Sequence, residues 1–502
     1  MKIVRALTAI LTLALLAGCY FVGDEGTATV GIELPEPGSE SATPGEDVPA
    51  LTRLYVINGG SLVPVGDGTS YLEIDSLTED GERVTEVSVG PVPAGSGYEI
   101  VVAFGNADDG TGVFIPVEYA MTNEPFAVTA GQTTTTPELE RLTSPFVPVD
   151  RADTLGKDLL GVVFTGDGLF TATTDTVYAA PISALDSAID FADGGATLPA
   201  GYAVNSITLG AVRGYDGAPW LNTDNGLLPY DPDYTGGPDG SGFFTDFDNR
   251  DEVPGYNPDE RDWNVLDSGA FVFPATTNPD YTDFVGDVFG YFQFDGGLGG
   301  VWDDNGTRKW MNPADMQDLV TGQPILDLDV QLNGTVQAFI ASKLGTFLMP
   351  QTLLTEEPAA DDPRSAAQRV LDESTFFEVT IDDVPVTITH VSIGSEADAS
   401  LYLGTPRGAL TVPADAIGGD EPIEGTFVPN TRDQAVVEVT STGDTVVVLT
   451  RHYVVYSTDG GQNFERVPLY ASSVGEPSDM LVDPVSRVIL ITGSQGLVGI
   501  NY

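Results

Sequence analysis

Seven times after residue 143 the chain repeats one phrase: an apolar run, a Thr, Ser or Gly, two residues, usually a Gly, then a second apolar run. The copies are LFTATTDTVYAAP, PWLNTDNGLLPY, YFQFDGGLGGVW, AFIASKLGTFLMP, LYLGTPRGALTVP, VVLTRHYVVYS and ILITGSQGLVGIN. Aligned on the residue after the turn pair, their hinges are Thr176, Gly226, Gly297, Gly345, Gly408, Tyr453 and Gly496, spaced by 50, 71, 48, 63, 45 and 43 residues. The two longest intervals each hold an insertion, one near 231–264 and one near 355–373. A strand–turn–strand unit cannot bury both of its faces alone. Radial stacking hides them and leaves only short, protected edges, and repeats of about 40–50 residues are the size of a propeller blade. The phrase therefore predicts a seven-bladed β-propeller over 143–502. Glycine at five hinges supplies the positive φ of a tight hairpin, so Thr176 and Tyr453 predict turns of another type. The last copy stops one strand short of a four-stranded blade. TSPFVPV, residues 144–150, is expected to supply that outer strand and clasp the ring.

Before this rhythm begins, residues 51–142 alternate in the manner of short strands: TRLYVING, TEVSVGPV, GYEIVVAFGN, GVFIPVEYA and EPFAVTA, punctuated by Gly, Asp and Pro. They predict a small Ig-like or prealbumin-like β-sandwich. High glycine and proline counts, 58 and 35, fit an all-β chain rich in turns. Residues 19–50 read as a tether rich in Pro, Gly, Ser and acid, with TATVGIEL as its candidate first strand.

Near the C-terminus, STDGGQNF places Ser457, Asp459, Gly461 and Phe464 at fixed offsets. An Asp carboxylate so placed accepts hydrogen bonds from the turn's own N–H groups, and Gly461 supplies unusual backbone geometry. The stretch resembles the Asp-box of the sialidase/BNR-repeat propellers, with Asn463 where Thr is usual. The resemblance implies a structural hairpin between the third and fourth strands of a blade, pinned by Phe464, away from the active-site face. A degenerate echo, WDDNGTRKW, runs from Trp302 to Trp310. Catalytic members of that family would imply three arginines gripping a carboxylate, a Tyr/Glu nucleophile pair and an acid Asp. The twelve arginines after residue 143 are scattered and follow no such pattern, so the repeat reads as structural.

At the other end, a basic Met1–Arg5 and an apolar run from Ala6 to Leu16 lead into LLAGC. The run is too short to span a bilayer. The box resembles the bacterial lipoprotein signal, cut before the cysteine. It implies a signal peptide over 1–18 and a diacylglyceryl-modified Cys19, the chain's one cysteine. Tyr20 stands where that family's inner-membrane retention mark would be Asp, which implies an outer-membrane anchor. The lipid bilayer is thus the first expected partner, with the acyl chains as the anchor.

The net charge of −55 comes mainly from missing cations, 20 Lys and Arg against 75 Asp and Glu, and excludes nucleic acid as a partner. Within the first insertion, Asp246, Asp248 and Asp251 are candidate calcium ligands, since clustered carboxylates offer the oxygens calcium prefers. The spacing is not that of an EF-hand, and a solvated acidic loop is the competing reading. His390 and His452 lie far apart without a second ligand type nearby, against a transition-metal site. His452 reads as an exposed turn residue. The four tryptophans read as packing residues rather than a stacking surface. No nucleophile elbow is present. The expected function is therefore non-enzymatic: a lipid-anchored envelope protein that binds a protein, peptide or glycan through its propeller. A glycan-active hydrolase with carboxylates on the propeller face is the rival, and a passive envelope protein the third reading.

Overall fold

The structure, a computed structural model, describes residues 27–35, 49–142, 146–230 and 372–502 apart from short breaks. It adds residues 243 and 364 and, mainly as backbone, the strands between 265 and 349. Two compact units divide the chain, residues 1–144 and 145–502.

In the first unit the three-stranded sheet places Thr27–Glu33 between Glu86–Pro93, antiparallel, and Thr133–Thr135, parallel. The second sheet is built on Leu51–Asn58, Gly95–Ala107, Phe114–Thr122 and Leu139–Leu142. Val30, Ile32, Val89 and Val92 from the first sheet share one core with Leu54, Val56, Ile100, Val102 and Phe104 from the second. Period-2 alternation along each strand sends these side chains to a common side. Thr27–Glu33, the candidate first strand in TATVGIEL, is thus a central strand of this unit.

In the second unit one pattern recurs. Strands succeed one another as antiparallel meanders: Val162–Phe164, Leu169–Ala172, Thr176–Ala180 and Ala196–Thr197 form the first sheet. The second to sixth follow over 204–229, 265–311, 325–377, 390–427 and 436–468. Pro477–Asp483, Val488–Gly493 and Gly496–Asn501 form the seventh, whose outer strand is Phe146–Val147 from the other end of the unit. Its register is Phe146 opposite Ile500 and Val147 opposite Gly499. In the second sheet the bridge between Tyr230 and Phe243 stands where the others have a fourth strand.

The seven hinge residues read from the sequence each begin the third strand of their sheet. Gly345, Gly408 and Gly496 take φ of 133°, 134° and 138°, whereas Thr176 and Tyr453 have no positive φ. Three residues before the hinge, a Thr hydroxyl organises the turn. Thr405 Oγ1 donates to the Gly408 carbonyl at 2.7 Å and accepts from Arg407 N at 3.0 Å. Thr450 Oγ1 accepts from Tyr453 N at 3.0 Å and donates to the Tyr453 carbonyl at 3.1 Å. The hydroxyl mimics a backbone turn, which is why Thr recurs there. Thr450→Val keeps the shape and strips the buried Tyr453 N–H of its acceptor. A loss of about 1–2 kcal/mol is expected in denaturant unfolding.

The second strands are buried on both faces, as in the runs Thr445–Thr450 and Val488–Gly493. Their apolar side chains pack alternately on the preceding and following sheets, each buried Leu or Val contributing about 1.5–3 kcal/mol. Shared cores join the first sheet to the second, the fourth to the fifth, and the sixth to the seventh. Leu169 and Tyr178 of the first sheet also meet Val488, Leu490 and Leu497 of the seventh, bringing the end of the unit back to its start. This is the architecture of a β-propeller. The two insertions, 231–264 and 355–373, lie almost wholly outside the described residues.

Candidate functional site

Three places in the second unit gather polar side chains: the ends of the sheets that carry the hinge turns, the opposite hairpins, and the first strands.

At the hinge end the turns meet the segments that connect one sheet to the next. Val204 N donates to the Thr174 carbonyl at 2.9 Å, Asp433 N to Arg407 at 2.7 Å, Ser494 N to Glu476 at 3.0 Å and Gly156 N to Gln495 at 2.7 Å. Loops from several sheets therefore converge on one end. They carry Arg451 paired with Glu476 at 2.5 Å, and Arg407 with Asp433 at 3.9 Å, all four side chains more than half exposed. Exposed pairs of this kind add little stability and leave the groups available to a partner. His452 is not simply exposed. It stacks on Tyr470 with centroids 4.9 Å apart and a 14° tilt. Burial lowers its pKa, helped by the adjacent Arg451 and opposed by Glu476, so the ring is neutral at pH 7.

At the opposite end, the STDGGQNF hairpin joins the third strand of the sixth sheet, Tyr453–Ser457, to its fourth, Glu465–Pro468. Asp459 Oδ1 accepts from Ser457 Oγ at 2.7 Å, Asn463 N at 2.9 Å and Gln462 N at 3.0 Å, while Oδ2 accepts from Asn463 Nδ2 at 2.6 Å. These bonds, led by that from Asn463 N, hold the carboxyl at about 2. Its stabilisation is present above the ordinary Asp range and is lost as pH falls through about 2. Gly461 has φ 84°, and Phe464 is half-buried beside it. Both carboxylate oxygens of Asp459 accept from its own turn, which makes the hairpin a structural element.

The first strands carry a feature the sequence reading missed. In five sheets a bulge interrupts the pairing of the first and second strands, and the residue after it is Ser206, Asp267, Asp327, Glu438 or Asp479. Asp327 Oδ2 accepts from Val391 N of the fifth sheet at 2.8 Å, and Asp329 Oδ2 from Ile393 N at 2.9 Å. Glu438 Oε2 accepts from Met480 N of the seventh sheet at 2.8 Å. Asp479 Oδ2 accepts from Val162 N of the first at 3.0 Å. These carboxylates stitch the first strand of the fourth sheet to that of the fifth, the sixth to the seventh, and the seventh to the first. Burial, and then the charge of Asp479, hold Glu438 well above the usual carboxylate range, and its carboxyl is hydrogen-bonded to Asp479. A pair in direct contact is closer than the roughly 5–10 Å that carboxylates need to flank a glycosidic bond. The sequence signal for this set was a polar residue in the run upstream of five of the seven phrases.

Cys19 and the candidate calcium ligands Asp246, Asp248 and Asp251 lie outside the described residues. Among the described residues no group of three or more His, Cys, Asp or Glu is arranged to hold a metal ion, and no helix is long and apolar enough to cross a membrane. Trp220 is buried in the second sheet. In the first unit a cleft of about 430 Å³ is lined by Glu33, Leu34, Glu86, Thr136 and Glu138, its glutamates all exposed.

No protein-family model matches the chain, and no curated protein matches it. Solved structures do resemble it. YCF48 bound to D1 peptide is 12% identical, over 72% of this chain and 99% of that one, with a TM-score of 0.41. PorZ, a surface component of the type-IX secretion system of Porphyromonas gingivalis, is 10% identical over 86% of this chain and 60% of its own, TM-score 0.46. The Swd1 β-propeller domain of Myceliophteria thermophila is 12% identical over 68% and 96%, TM-score 0.38. Likenesses this remote carry no shared activity to the chain.

Proposed function

We propose that this is a lipid-anchored protein of the outer cell envelope, a small β-sandwich followed by a seven-bladed propeller, whose hinge end binds a protein, peptide or glycan. The observation that carries the reading is the convergence of the hinge turns and the inter-sheet connections on one end. That end presents Arg407, Asp433, Arg451 and Glu476, cations and anions together. The first-strand carboxylates are committed to neighbouring main chain, and Asp459 to its own hairpin. Rigid sheets bearing adaptable loops are the usual seat of recognition. Cys19 in LLAGC supplies the anchor, with the seven residues 20–26 between it and the first strand, which begins at Thr27.

Two measurements test it. Cys19→Ser is expected to move the protein from the membrane to the soluble fraction; retention in the membrane overturns the anchor. A photo-crosslinking residue at 451, compared in intact cells with one at 462 in the Asp459 hairpin, is expected to capture a discrete partner only from 451. Equal capture from both, or capture from 462 alone, rejects the hinge end as the binding face.

A further inference from the structure

Charge is not spread evenly around the hinge turns. The turn pairs of the first three phrases are Thr174-Asp175, Asp224-Asn225 and Asp295-Gly296, and those of the next three are Lys343-Leu344, Pro406-Arg407 and Arg451-His452. Three consecutive turns carry an acid and the following three a cation, in a chain with only 20 Lys and Arg. Asp295 and Lys343 lie outside the described residues.

The acids have a structural use. Asp175 Oδ1 accepts from Thr173 Oγ1 and Thr176 Oγ1, both at 3.0 Å, and Asp224 Oδ1 accepts from Ala203 N at 2.8 Å. A carboxylate beside a turn meets N–H and O–H donors that the turn leaves open. A guanidinium carries donors only and cannot take that role. Arg407 and Arg451 instead reach solvent, their side chains 58% and 59% exposed.

The connection between the fifth and sixth sheets adds a third arginine and joins the other two. Asp433 N donates to the Arg407 carbonyl at 2.7 Å, and Gln434 Oε1 accepts from Thr450 Oγ1, beside Arg451, at 2.9 Å. Arg432 directly precedes these two residues, exposed, with its guanidinium 5.1 Å from the centre of the Phe427 ring. The three arginines thus follow one strip across two sheets. Arg432 has no ion pair among the described residues. Arg407 stands 3.9 Å from Asp433, too far for a hydrogen bond. Arg451 is closely paired, with an exposed Glu476 that another carboxylate can displace.

We propose that Arg407, Arg432 and Arg451 form the docking strip for an acidic peptide segment of a partner protein. The proposal rests on the hinge end being the binding face. Charge complementarity selects the occupant, since the planar fork of Arg matches a carboxylate. Charges more than about 8 Å away are screened at physiological ionic strength, so an acidic segment is attracted at the strip. Over the rest of a chain of net charge −55 it meets mostly like charge, which narrows it to this one place. A sugar finds little open aromatic face to stack on here. Tyr453 and Tyr470 are buried, His452 is half-buried against Tyr470, and Arg432 lies over Phe427.

A photo-crosslinking residue at Ala435, exposed beside the strip, in the full chain in intact cells tests this. Mass spectrometry of the adduct is expected to place the captured residue in a partner segment rich in Asp and Glu. Arg407→Gln, Arg432→Gln and Arg451→Gln together are expected to cut capture about tenfold or more, since one charge-assisted contact alone is worth about that factor. Arg451→Gln alone is expected to reduce it, and Arg487→Gln, the same change on an exposed hairpin of the opposite end, to leave it unchanged. A captured segment without net negative charge, a carbohydrate adduct, undiminished capture by the triple variant, or equal loss in Arg451→Gln and Arg487→Gln overturns the proposal and leaves the hinge end as the binding face. Capture from a crosslinker at 451 with none from 435 does the same. No capture from either position removes the hinge end as the binding face, and the proposal with it.

Discussion

Thr in place of Gly493 is expected to destabilise the protein by about 3 kcal/mol, although Thr is what the repeat itself prefers there. Thr173, Thr223, Thr405 and Thr450 occupy the corresponding position in four other sheets, and Ser342 in a fifth. On repeat statistics alone the substitution restores the usual residue and stabilises a turn. The surroundings reverse that sign. A Cβ at 493 would lie 2.3 Å from the Glu476 carbonyl oxygen and 2.6 Å from that of Val474. Both carbonyls are already engaged, Glu476 by Ser494 N and Val474 by Gln495 N, each at 3.0 Å. The connecting segment cannot retreat without breaking bonds that join it to the turn, and Val474 is fully buried. Overpacking against held backbone costs about 1–3 kcal/mol, and a lost buried hydrogen bond adds to it. Denaturant midpoints with unchanged slope measure the effect. A variant as stable as the parent would mean that the connection between the sixth and seventh sheets is soft.

The same comparison shows how far the sequence could be read. Each hinge residue marks a third strand because the phrase is local: the turn pair and the residues flanking it, in five phrases a Thr or Ser before the pair and in five a Gly after it, lie within four residues. The Asp459 hairpin was legible for the same reason. Thr27–Glu33 was harder to place, because its partners, Glu86–Pro93 and Thr133–Thr135, are about 60 and 100 residues away. The carboxylates of the first strands escaped notice for two physical causes. Each accepts from a strand of the next sheet: 64 residues separate Asp327 from Val391 and 42 separate Glu438 from Met480. The bulge before them also shifts the period-2 pattern by one residue. An acid that follows a bulge then reads as a surface residue, when it faces a neighbouring main chain. His452 misled for a similar reason, since Tyr470, the ring that covers it, comes from the connection after the fourth strand.

Gly461→Ala, in the Asp459 hairpin, is expected to cost about 2–3 kcal/mol, part of it recoverable by a change in the neighbouring sheet. Two separate costs add there. The backbone takes φ 84°, where a Cβ is strained whatever space surrounds it, at about 1 kcal/mol. The Cβ would also meet Tyr402 Oη at 2.3 Å. Tyr402 stands on the second strand of the fifth sheet, and its hydroxyl donates to the Gly460 carbonyl at 3.4 Å. The hairpin is thus keyed to the sheet before it as well as to its own strands. Tyr402→Phe alone removes one long hydrogen bond and is expected to cost under about 1 kcal/mol. In the double variant the nearest ring atom becomes Cζ, 3.3 Å from the new methyl, a tight contact rather than a clash. The double variant is therefore expected to be more stable than the sum of the singles by about 1 kcal/mol, leaving the backbone strain uncorrected. Additive costs in that double-mutant cycle would show that the whole effect of the alanine is backbone strain, and that Tyr402 yields freely to the hairpin.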